Sequence, residues 1–146
     1  MSDIRTILLA EDSLADAEMA IDALREANLA NPIVHVEDGV EAMDYLLRRG
    51  AHAERPEGMP AVLLLDIKMP RMDGLEVLKR IRHDEALKHL PVVILSSSRE
   101  ESDLARSWDL GVNAYVVKPV DIDQFFQAVK TLGTFWAVIN ETPVRD

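Results

Sequence analysis

Five polar residues in this sequence stand at the ends of apolar, β-branched runs. Glu11-Asp12 follows Ile4–Ala10, Asp66 follows Ala61–Leu65, Ser96 closes Pro91–Ser96, and Lys118 follows Asn113–Val117. Three carboxylates, a hydroxyl and an amine have a use in common. Acids held close repel one another, and the repulsion is costly away from water. A divalent cation resolves it, and oxygen-only donors favour a hard ion that keeps several waters. The expected metal is therefore Mg2+, for which another divalent cation can substitute. Lys118 adds a second positive charge and Ser96 a hydroxyl, which suits a phosphoryl group moving onto a carboxylate oxygen. Singly, each residue has a plainer use: Glu11 or Asp12 as a helix cap, Ser96 in a turn, Lys118 at the surface. Capping does not account for Asp66, because Pro70 delays the next helix.

The elements that must position these residues alternate along the chain. The pattern predicts strands over Ile4–Ala10, Ile33–Glu37, Ala61–Asp66, Pro91–Ser96 and Asn113–Val117. Between them, helical periodicity covers Ser13–Asn28, Gly39–Arg49, Leu75–His83 and Glu100–Leu110, and Asp121 caps a last helix. On the first helix Leu14, Ala17, Ile21 and Leu24 share a face. Gly50–Pro60 is the one long Pro/Gly-rich stretch and is read as a surface loop away from the site. Strict βα alternation, five times over, implies a doubly wound α/β fold whose parallel sheet carries helices on both faces. Ligands of such sheets bind outside the carboxyl ends of the strands. All five polar residues fall there.

Composition narrows the classes. The chain has 146 residues, 48 % of them apolar, enough for one domain with a real core. It has no cysteine, which excludes a disulfide scaffold, a thiolate zinc site and a cysteine nucleophile. Sixteen basic against 26 acidic residues leave a formal charge of −10, which disfavours general DNA binding. The longest apolar run in the middle of the chain, Ala61–Leu65, is too short for a membrane span, and the N-terminus shows no signal peptide. A cytoplasmic protein without membrane contact is expected. His35, His52, His83 and His89 are scattered and read as structural residues, not as ligands.

The set of motifs resembles the receiver domain of two-component response regulators from Ile4 to about Leu132. It comprises Glu11-Asp12, Asp66 with Met69-Pro70 and Asp73-Gly74, Ser96, and Lys118-Pro119. The resemblance implies the flavodoxin-like strand order 2-1-3-4-5 in three α/β/α layers. It implies that Asp66 accepts a phosphoryl group from a phosphohistidine of a sensor kinase, in a signalling protein that catalyses only its own phosphorylation and dephosphorylation. Asp12, Asp66 and the backbone carbonyl of Lys68 would bind Mg2+, with Glu11 holding a metal-bound water. Ser96 and Lys118 would contact the phosphoryl oxygens, and Tyr115 matches the switch aromatic that repacks the face of the fourth helix, fifth strand and fifth helix. The Lys118–Pro119 bond would be cis. Lys68 and Ser97-Ser98 neighbour the phosphate and would influence its lifetime.

Only 27 residues follow Pro119, which predicts a receiver (1–133) with a C-terminal extension (134–146) and no output domain. Apolar positions 122, 125, 126, 129, 132, 136 and 139 continue a helical stripe across Gly133, the alternative being that Gly133 kinks or stops the helix. A helix from Asp121 to Asn140 would be about 30 Å long. Phe135, Trp136 and Ile139 would then meet a partner, or the tail would fold back on its own core. The long loop and the Phe135–Asn140 motif are similar to those of response regulators paired with bacterial phytochrome kinases, which form homodimers. The alternatives are a phosphorelay shuttle for another kinase and a pseudo-receiver that is never phosphorylated. A flavin carrier is disfavoured because Glu11-Asp12 would repel its phosphate, and an aspartate phosphatase because Lys68 stands where a second acid is needed.

Overall fold

The computed structural model describes residues 4–112, 114–133 and 137–138. Its five strands are β1 (Ile7–Ala10), β2 (Ile33–Val36), β3 (Val62–Asp66), β4 (Val92–Ser96) and β5 (Tyr115–Val117). The helices between and after them are α1 (Leu14–Glu26), α2 (Gly39–Leu47), α3 (Gly74–Arg82), α4 (Arg99–Ser107) and α5 (Ile122–Thr131), with one 3-10 turn at Gly50–His52. All pairings are parallel, in the order β2-β1-β3-β4-β5. The fold and strand order expected from the sequence are those observed.

Two apolar layers flank the sheet, because alternate side chains of a strand point to opposite faces. Leu8, Leu63, Leu65 and Ile94 pack against α2, α3 and Ala105 of α4. Ile7, Leu9, Leu64 and Val93 pack against Ala17, Ala20 and Leu24 of α1 and Phe125, Ala128 and Val129 of α5. β3 and β4 are buried along their whole length, as strands covered on both faces must be.

Register carries the polar residues to one edge. Ala10 lies opposite Leu65 on β3, so the residues that follow, Glu11 and Asp66, are neighbours. Ser96 lies opposite Val117, and the N–H of Lys118 donates to the Ser96 carbonyl at 2.8 Å. Asp73-Gly74 has a steric reason. A Cβ on Gly74 would stand 2.1 Å from the Asp66 carbonyl oxygen, so any side chain there would push the Asp66 backbone aside.

Several expected elements are shorter than the pattern predicted. Ile4–Thr6 lies outside β1, and Arg5 there donates to the carbonyls of Met59 and Pro60. Leu14, expected inward, is exposed. The fourth helix ends at Ser107 rather than Leu110, because Trp108 caps it and Asp109 turns to φ 52°. Of the two readings of the last helix, the stop at Gly133 is the one observed: α5 ends at Thr131, with Leu132 as cap and Gly133 at φ 70°, the left-handed conformation that ends helices. The single 30 Å element is therefore not formed. Ala137 and Val138 are buried, and Val138 joins the core layer of α1 and α5. Asn31 Nδ2 ties this segment down by donating to the carbonyls of Arg5 and Ala137 at 2.7 and 3.0 Å. Phe135, Trp136 and Ile139 lie outside the described residues.

Candidate metal and phosphoryl-transfer site

The carboxyl edge of the sheet opens into a cavity of about 220 Å³ lined by Glu11, Asp12, Ser13, Asp16, Asp66, Lys68, Ser97, Glu101 and Lys118. Ser13 accepts the Asp16 N–H to start α1, and its own N–H donates to Glu11 Oε2 at 3.1 Å. The start of that helix thus fixes the first acid, and His35 Nε2 lies 2.7 Å from the Glu11 carbonyl oxygen. Glu11 and Asp66 are buried, and Asp12 is exposed at the rim. Oxygens from these three lie within 4.8 Å of one another.

Lys118 is the cation that keeps this cluster together. Its Nζ donates to Glu11 Oε1 and Asp16 Oδ2, both at 3.0 Å, and lies 3.2 Å from Asp66 Oδ1. Burial works against its charge, but bonds to Glu11 and Asp16 and the charge of Asp66 overcome it and hold the ammonium above its ordinary pKa. For Asp66 the balance runs the other way. Burial first, and the nearby Glu11 second, push its carboxyl up to about 7, and Lys118 only partly opposes them. One oxygen ligand set, three carboxylates and too little positive charge together fit a hard divalent cation.

Ser96 is fully buried and is not among the residues lining the cavity. Its hydroxyl is hydrogen-bonded to that of Ser102 on α4, which in turn donates to the Ser98 carbonyl at 3.3 Å. Tyr115 lies apart, its ring under the Arg106 guanidinium at 3.9 Å. Burial raises the Tyr115 phenol above its usual pKa, with Arg106 opposing. The Lys118–Pro119 bond is cis.

Three residues at the site escaped the sequence reading: Asp16, Glu101 and Ser102. Asp16 and Glu101 are helix-surface acids among many, and Ser102 is one helical serine close after the run Ser96–Ser98. A readable signal existed for Glu101, since Ser98-x-x-Glu101 has the spacing of a capping box, with the Glu101 N–H donating to the Ser98 hydroxyl.

The fold and this edge define a receiver, and residues 7–130 match the response regulator receiver domain family, to which the chain belongs. Response regulator Rcp1 of Synechocystis sp. is 35 % identical over 132 residues, spanning 90 % of this chain and 88 % of Rcp1. A solved structure of Rcp1 is of its Mn2+-bound form, with a TM-score of 0.71 at 34 % identity over 96 % of this chain and 99 % of that one. The bacteriophytochrome response regulator AtBRR superimposes with a TM-score of 0.92 at 54 % identity, over 96 % of this chain and all of AtBRR. The phosphorylated cyanobacterial phytochrome response regulator RcpA gives 0.72 at 41 % identity, over 92 % and 94 % of the two chains. The chain is thus a receiver related to phytochrome response regulators. Among the described residues no helix is long and apolar enough to cross a membrane.

Proposed function

We propose that this chain is a cytoplasmic single-domain response regulator that takes a phosphoryl group onto Asp66 from a sensor histidine kinase of the bacterial phytochrome type. The observation that carries the reading is the buried Asp66 carboxylate, 3.2 Å from Lys118 Nζ in a cavity it shares with Glu11 and Asp12. Asp12, Asp66 and the Lys68 carbonyl would hold Mg2+, with Glu11 holding a water of the ion. When bound, the ion neutralises the acids and the charge that develops on the transferring phosphoryl oxygens. In the transfer, an Asp66 oxygen forms the new O–P bond as the P–N bond to the donor imidazole breaks. The electron pair of that bond returns to the ring nitrogen. Lys118 steadies the phosphoryl oxygens, and the Ser96 hydroxyl leaves Ser102 to join it. Tyr115 then responds, changing the surface of α4, β5 and α5 that a downstream protein reads. Within the extension 134–146, Phe135, Trp136 and Ile139 are assigned to a homodimer contact, beside Ala137 and Val138, which are buried in the chain's own fold.

The test is phosphotransfer from a phytochrome kinase. Label should pass to the wild-type chain and not to Asp66→Asn. Transfer only from other kinases would leave Asp66 as acceptor and remove the phytochrome pairing. Transfer to the asparagine variant would contradict the assignment of the acceptor.

A further inference from the structure

Glu101 stands in the first turn of α4, where a glutamate commonly reaches back to cap its helix. This one reaches further. Its Oε1 accepts the N–H of Ser97, the residue before the Ser98 cap, at 2.8 Å. Its Oε2 lies 3.6 Å from Lys68 Nζ, so one carboxylate bridges the loops that follow β3 and β4. The Glu101 side chain is 9 % exposed and that of Lys68 83 %, which places the acid inside the cavity and the ammonium at its rim.

Five carboxylates and two lysines line this space. A phosphoryl group entering it is a further anion and needs donors. The lining offers Lys118 Nζ, which Glu11, Asp16 and Asp66 share, and Lys68 Nζ and the backbone N–H of Ser97, both of which Glu101 engages. We propose that Glu101 is an internal anion occupying a phosphoryl-oxygen position, which holds the Ser97 N–H and Lys68 until an incoming phosphoryl group displaces it. The proposal rests on the reading of Asp66 as phosphoryl acceptor. The exchange conserves a charge-assisted bond at the Ser97 N–H, carboxylate for phosphoryl oxygen, so it is reversible rather than a permanent block. Each arriving anion must nevertheless overcome both the held bond and the repulsion of a fifth acid. Glu101 thereby sets the threshold for occupancy of the site.

Fluoroberyllate, an anionic mimic of a phosphoryl group, tests this by calorimetry on the full chain in saturating Mg2+. Glu101→Gln keeps an acceptor for the cap but loses the charge. It should bind fluoroberyllate about two- to tenfold more tightly, the range of one hydrogen bond's net contribution. Its affinity for Mg2+ alone should move by less than about twofold, because Glu11, Asp12 and Asp66 are untouched. A purely structural cap would move neither affinity, and a general charge effect would move both. Glu101→Asp falls one methylene short of Ser97. It should shift in the same direction by less, and it carries the test if the glutamine variant does not fold. Fluoroberyllate affinity that is unchanged or weaker, or Mg2+ affinity that shifts in parallel, overturns the assignment of Glu101 alone. A wild-type chain that takes up no fluoroberyllate overturns the phosphoryl-acceptor reading and the role of Glu101 with it.

Discussion

The two edges of the sheet satisfy their polar groups with different partners. At the amino edge, side-chain donors meet backbone carbonyls. Arg55 donates to the carbonyls of Tyr45, Leu46, Pro56 and Gly58, and its guanidinium covers the Tyr45 ring at 4.2 Å. Arg82 donates to the carbonyls of Lys88 and Leu90, and Asn31 to those of Arg5 and Ala137. At the carboxyl edge the acceptors are side chains: Glu11, Asp16 and Asp66 share Lys118, Glu101 takes the Ser97 N–H, and Ser96 and Ser102 hold each other. A carbonyl cannot turn away without moving the chain, whereas a carboxylate or hydroxyl changes partner by rotating about a bond. The amino edge is built to stay, and the carboxyl edge to exchange. Both are satisfied, since no buried side-chain nitrogen or oxygen among the described residues lacks a partner.

Lys118→Met strikes hardest at the exchangeable edge. It leaves Glu11 and Asp66 buried together, and unfolding at pH 8 should show a loss of about 3 kcal/mol, the cost of breaking a buried charge pair. The loss should shrink towards pH 5, where Asp66 is protonated in the fold.

Arg55→Ala is the counterpart at the fixed edge. Denaturant unfolding should give a loss of about 2 kcal/mol, with an unchanged rate of phosphoryl uptake. A change in uptake would break the division between the edges.

Asp66→Asn should do the reverse of both. In the fold this carboxyl is raised from 3.8 to about 7, so the native state binds the proton more tightly than the unfolded chain does. That contribution is complete below pH 3.8 and is lost as pH rises to about 7. Asparagine cannot ionise, so thermal melts should show the variant stabilised above pH 7, by on the order of 1–2 kcal/mol after allowance for solvent at the cavity mouth. Equal stability of the two proteins at pH 8 would mean that Asp66 is not under the strain described.

The smallest effect belongs to Ser102→Ala, with stability within about 1 kcal/mol of wild type. By releasing the Ser96 hydroxyl it should tighten fluoroberyllate binding, measured by calorimetry.

How much of this was legible in the sequence follows the same division. Asp66 could be read because a carboxylate directly after four buried aliphatics has no structural reason to be there. Glu11, Asp12 and Lys118 could be read from their strand ends, and the strand order followed from the family resemblance. Asp16 could not, because an acid in the first turn of a helix serves the helix dipole equally well at the surface, and the spacing Ser98-x-x-Glu101 marks Glu101 only as a helix cap. The tail shows another limit. The stripe through positions 129, 132 and 136 keeps helical spacing while Gly133 offers a stop within it; periodicity alone does not choose between them, and the left-handed conformation of Gly133 ends the helix. Asn31, two residues before β2, carries no pattern at all. Its partner Ala137 is more than a hundred residues away in sequence.

Intact-mass measurement after incubation with Mg2+ and a small acyl phosphate tests the central claim most directly. The wild-type chain should gain the mass of one phosphoryl group and Asp66→Asn none. A wild-type chain that stays unmodified, or a variant that is modified equally, would contradict it.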